Sequence, residues 1–124
     1  MRAIAAFGFL VLVSTGALAH HATAAEYDVS STITLKGTVT RVEWTNPHIH
    51  VIVDVKLKDG DSESWIVEFP APGAAIVAGL SKELLALGKG ITLEAYPAKS
   101  AKRSACAKAM TLSDGSRLTF VVGI

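Results

Sequence analysis

Three consecutive segments of alternating apolar and polar residues, a short Ala- and Leu-rich stretch, and three further strand-like segments predict a mainly β chain. That order, with a glycine inside the first strand and turn signals at Asp59-Gly60 and Asp114-Gly115, fits a small Greek-key barrel of the OB type. The expectation is five to six strands with a helix between strands three and four; an open α+β sandwich is the other architecture that fits. At 124 residues one core suffices. The organisation expected is a signal peptide over 1–19, an N-terminal arm over 20–32 and the barrel over 33–124.

The elements follow in order. Met1-Arg2, an apolar run from Ala3 to Val13, and Ala17-Leu18-Ala19 have the layout of a secretory leader with a small-x-small cleavage site. Ser14, Thr15 and Gly16 interrupt the run before the length needed to cross a bilayer, so no transmembrane anchor is expected after cleavage. The stretch HHATAAEYDVSST (20–32) has no sustained period and reads as an arm. Ile33, Leu35, Gly37 and Val39 alternate with polar residues, and the alternation slips at 40–41, the mark of a bulge in a bent strand.

Thr45-Asn46-Pro47 is a turn, because proline keeps Asn46 out of the helical region. The second strand, His48 to Leu57, sets Ile49, Val51, Val53 and Val55 on one face and His48, His50, Ile52 and Asp54 on the other. Ser64 to Phe69 is the third strand. Residues 74–87 favour one helix or two short ones, with Ser81 and Gly88 as start and stop signals. Ile91 to Tyr96, Lys108 to Leu112 and Arg117 to Val122 complete the strands.

Composition narrows the function. Lys+Arg number 12 and Asp+Glu 11, and losing Arg2 with the leader makes the remainder neutral, so no electrostatic footprint for nucleic acid exists. Lys99, Lys102, Arg103 and Lys108 read as a solvated basic loop. One cysteine, Cys106, can close no internal disulfide and is too few for a thiolate zinc site. There is no G-x-S-x-G elbow and no phosphate-cradling glycine motif, so an enzyme is not expected.

The stretch TLKGTVTRVEWTNPHIHV (34–51), with His20-His21 and Glu26-Tyr27-Asp28 before it and Tyr96-Pro97-Ala98-Lys99 and Thr111-Leu112-Ser113-Asp114-Gly115 after it, resembles a family of small exported bacterial proteins known as domain of unknown function 6152. More distantly, the GTV-x-x-V segment is similar to one in exported bacterial OB-fold proteins. The resemblance implies export and a small β-barrel; it implies no activity.

All four histidines fall in two pairs, His20-His21 and His48-x-His50. Two imidazoles two residues apart on a strand share a face and can converge on one ion, and a mature chain beginning at His20 would add an amine and a further ring nitrogen. Such a nitrogen-rich set suits copper(II) first and zinc(II) less well. The plainer reading of the same histidines is polar residues on a solvated face and a loose terminus. Metal use also requires the arm to travel, since strand one starts at the end opposite the Thr45-Pro47 turn. Trp44, Asn46, Trp65 and Glu68 are the further rim candidates, the tryptophans as stacking surfaces or as packing. The function expected is a periplasmic or secreted, non-enzymatic module binding a small ligand or a periplasmic protein. A periplasmic copper-binding protein using His20, His21, His48 and His50 is the alternative.

Overall fold

The computed structural model describes residues 23–121. Strands β1 (Ile33–Glu43), β2 (His50–Lys56) and β3 (Ser62–Glu68) form an antiparallel meander. Helix α1 (Pro72–Val77) and a 3-10 turn (Glu83–Leu85) lead to β4 (Gly90–Pro97), β5 (Ser104–Thr111) and the short β6 (Arg117–Thr119). β4 pairs with the first half of β1 and with β5, and β5 pairs in parallel with β3. Five strands therefore close in the order β1-β2-β3-β5-β4, with β6 added to β5. This is the OB-like barrel with its helical connection between strands three and four.

β1 serves two partners because it bends. Residues 33–38 pair with β4 and residues 37–43 with β2, so Gly37 belongs to both ladders. A Cβ at Gly37 would lie 2.2 Å from the Asp54 carbonyl oxygen, so only glycine allows the two strands to approach this closely. The expected bulge is present, as a register shift between Val39 and Arg41.

Inward-facing Leu35, Val39, Val51, Val53, Val67 and Leu93 fill the barrel, and Phe69 meets Phe120 edge-on at 5.3 Å between ring centroids. Ala75, Leu80 and Leu85 plug one end. The helical connection is two short pieces because Gly79, at φ +102°, ends the first. β5 begins at Ser104, earlier than its sequence suggests. Its inward positions there are Ala105 and Ala107, whose small side chains signal a strand poorly yet fit where strands crowd together.

The arm is bound to the outside of this barrel. Residues 23–26 make a helical turn, Tyr27 forms an isolated bridge with Ala98, and the Asp28 amide donates to the Pro97 carbonyl at 2.8 Å. Tyr27 then covers outward-facing Tyr96 and Cys106, a second small core also touched by Val29 and Ala98. The basic loop is exposed from Lys99 to Arg103, and two of the four basic residues have partners. Lys99 Nζ donates to the Ala24 carbonyl at 2.7 Å, and Lys108 lies within β5 with its ammonium 5.6 Å from the Tyr96 ring centroid. The leader, His20 and His21 lie outside the described residues.

Candidate functional site: a carboxylate and imidazole rim

The site begins with the stagger of a closed barrel. On the outer face Glu43 pairs with His50, His50 with Glu68, Glu68 with Cys106, and Cys106 with Tyr96. One step before Tyr96 on β4, Ala95 pairs with Ile33. A row that leaves the end of β1 thus returns to β1 at its beginning, the offset that barrel closure demands. The arm entering β1 therefore lies beside the end of β3, and no journey along the barrel is needed. The opposite-ends expectation treated the sheet as flat and is corrected by this closure.

Glu68 is the centre of the arrangement. As the last residue of β3 it points outward, between His50 on one side and Cys106 on the other. The Tyr27 hydroxyl donates to Glu68 Oε2 at 2.5 Å, and Oε1 is bonded to His48 Nδ1. His48 sits just ahead of β2, after the turn whose Asn46–Pro47 peptide is cis. The Glu68 side chain is 17 % exposed and that of His48 40 %, so the carboxylate is sheltered while the imidazole reaches solvent.

The electrostatics follow from this burial. Desolvation pushes the Glu68 carboxyl up, but hydrogen bonds from His48 and Tyr27, with the fields of the His48 and His50 rings, outweigh it and hold the group below its ordinary value. An ionised carboxylate only accepts hydrogen bonds, so His48 Nδ1 carries the proton and, in the neutral ring, Nε2 carries the lone pair. Burial, and then the Glu68 bond and charge, push the Tyr27 phenol upward. Burial, with Glu68 and Glu26 nearby, pushes the Cys106 thiol up to about 12.

Beside the dyad, Arg41, Glu43, His50, Ile52 and Ile66 line a shallow pocket of about 340 Å³. Arg41 is bonded to Glu43 at 2.7 Å, and Ile66 is half exposed. Trp44 and Trp65 are partly buried against the barrel core. Trp44 carries the Lys82 ammonium 5.8 Å from its ring centroid, and Trp65 Nε1 donates to Glu63 at 2.8 Å. Asn46 is exposed on the turn. The structure thus brings His48, His50 and Glu68 together and turns the tryptophans toward packing.

Among the described residues, no three His, Cys, Asp or Glu side chains converge as a metal cage. Tyr27 is the residue that local pattern reading passes over, since the arm has no periodicity; its place in the quoted Glu26-Tyr27-Asp28 segment was the available signal.

A family model, described as a family of unknown function (DUF6152), matches residues 6–107, from within the apolar N-terminal run to the middle of β5. The chain belongs to this family. No curated protein and no solved structure matches the chain. The matched span of DUF6152 contains every member of the Tyr27, His48, Glu68 and Cys106 cluster and leaves out β6.

Proposed function

We propose that this member of DUF6152 is an exported, non-enzymatic binding module whose ligand docks on the His48 and Glu68 rim. The observation that carries the reading is the His48 imidazole, fixed through Nδ1 by a sheltered carboxylate while its side chain stays 40 % exposed. An imidazole held in this way is a pre-oriented ligand. The neighbouring Cys106 thiol, pushed up to about 12, stays protonated and is a poor nucleophile, so it is not the group that would react there. Export is supported by the n-region, apolar run and Ala17-Leu18-Ala19 of the leader.

A second reading gives the ligand a name: copper(II), with zinc(II) behind it. It is favoured by the position of the arm. Tyr27 is anchored at Glu68, and His21 stands six positions earlier, so its Cα lies no more than about 20 Å from that anchor even in a fully extended chain. Cleavage after Ala19 would start the chain at His20, adding nitrogen donors to the half-site formed by His48 and His50. A nitrogen-rich set of that kind suits copper(II) best.

The test is calorimetric titration of copper(II) and zinc(II) into the exported protein after N-terminal sequencing. Copper(II) binding tighter than micromolar is expected, lost on His48→Ala and weakened by about 10–100-fold on Glu68→Gln, which alters the group that orients the imidazole and leaves the imidazole itself in place. Copper affinity unchanged by His48→Ala overturns the metal reading. The module reading has its own check in protein that retains residues 23–121. Amide shifts on adding periplasmic extract should cluster on residues 41–50 and 66–68, and shifts confined elsewhere would sink it.

A further inference from the structure

The opposite end of the barrel holds a larger groove, about 680 Å³, between β1, β2, β4 and the end of β5. It shares no lining residue with the rim pocket. Its part of β1, around Gly37, lies six positions before Glu43, a distance of about 20 Å along a strand.

Two features of the groove stand together. First, Lys36, Lys56 and Lys89 line it, and the ion pairs among the described residues, Arg41–Glu43, His48–Glu68 and Arg117–Glu94, use none of them. Lys36 and Lys56 lie just beyond the last β1–β2 pair, Gly37–Val55, and bring two like charges to one groove. The acid in the groove is Asp54, which already accepts a hydrogen bond from Ser64 Oγ at 2.6 Å, so the cationic groups outnumber it. Second, the partly buried Leu84 and Leu112 line the groove together with the edges of the core residues Ile91 and Met110, giving it an apolar side.

We propose that this groove binds an amphiphilic anion, an apolar body seated on Leu84 and Leu112, beside the edges of Ile91 and Met110, with a carboxylate or phosphate head held by Lys36, Lys56 and Lys89. A small inorganic anion would leave the apolar side unused, and a neutral lipid would leave the lysines without a counter-charge. The head is recognised by charge, because lysine ammonium groups act as mobile point charges with no fixed fork. Gly37 contributes by letting β1 bend across β2, which sets Lys36 and Lys56 on neighbouring strands. This site is independent of the rim and of any metal.

The experiment is a two-dimensional amide titration of the purified protein with four probes below their aggregation concentrations: decanoate, decyl phosphate, decanol and inorganic phosphate. Saturable shifts on residues 36–38, 89–92 and 110–113 are expected with decanoate, decyl phosphate or both, and the pair separates a carboxylate from a phosphate preference. Affinity should fall by about fivefold for each of Lys36→Gln and Lys56→Gln, the scale of one surface charge pair. Lys102→Gln, outside the groove, should leave it unchanged. Four results overturn the proposal: no saturable shift with either amphiphile, equal affinity for decanol, equal affinity for inorganic phosphate, or shifts lying outside the groove. Proper folding of each variant is read from the same spectra.

Discussion

At the scale of single residues, Glu68 is the side chain on which most depends, since both its oxygens are engaged by residues distant in sequence. Removing one partner should be costly. Tyr27→Phe takes a hydroxyl from a carboxylate that is mostly sheltered and should destabilise the protein by about 1.5–3 kcal/mol, the worth of a hydrogen bond to a charged group. Urea unfolding would measure it, and a change under 0.5 kcal/mol would contradict the role given to the bond. Cys106 makes a different prediction. Its thiol is pushed from 9.0 up to about 12 in the folded protein, so between those values the unfolded chain ionises while the folded one does not. The unfolded state then binds fewer protons and stability must fall as pH rises, by up to about 1.4 kcal/mol per pH unit for one such group. Urea midpoints taken from pH 8 to 10.5 should decline less steeply in Cys106→Ala than in the parent; parallel declines would remove the thiol from the account.

At the scale of elements, β1 determines the barrel, and much of it is readable locally. The alternation of Ile33, Leu35 and Val39, the slip at 40–41 and the glycine at 37 each record a physical demand: burial on one face, a bulge, and a close crossing. β5 is less readable because Ala105 and Ala107 fit the core by being small and so carry little strand signal. The partnership of Glu68 with Tyr27 and Cys106 is not readable locally at all, because it arises from the stagger of the closed sheet rather than from any spacing within a segment. Gly37→Ala tests the element directly. Its Cβ would sit 2.2 Å from backbone, not from a flexible side chain, so the strands must separate. The expected loss is about 3 kcal/mol in urea unfolding, the upper range for overpacking. A loss below about 1 kcal/mol would mean that β1 bends without needing the glycine.

At the scale of the whole molecule, the fold has two cores of different standing. Among the described residues the barrel core contains none before Ile33, whereas Tyr27 and Val29 of the arm help form the outer cluster around Tyr96 and Cys106. The arm is therefore a strap on a barrel that closes without it, and the strap completes the rim by reaching Glu68. Deleting residues 1–30 should leave a folded β protein with unchanged far-ultraviolet circular dichroism at low temperature. The same deletion should lower the melting temperature, uncover Cys106 and free Glu68 Oε2. Because Cys106 is now 9 % exposed and shielded by Tyr27, its reaction with a thiol reagent at pH 8 should accelerate at least tenfold on deletion, while its rate in the full chain follows opening of the strap. Chemistry at the lysine groove should be unaffected, since none of the described arm residues lines it. Unfolding of the truncated barrel, or a thiol as slow as in the full chain, would show that the arm is not a separable strap and that rim and barrel form one cooperative unit.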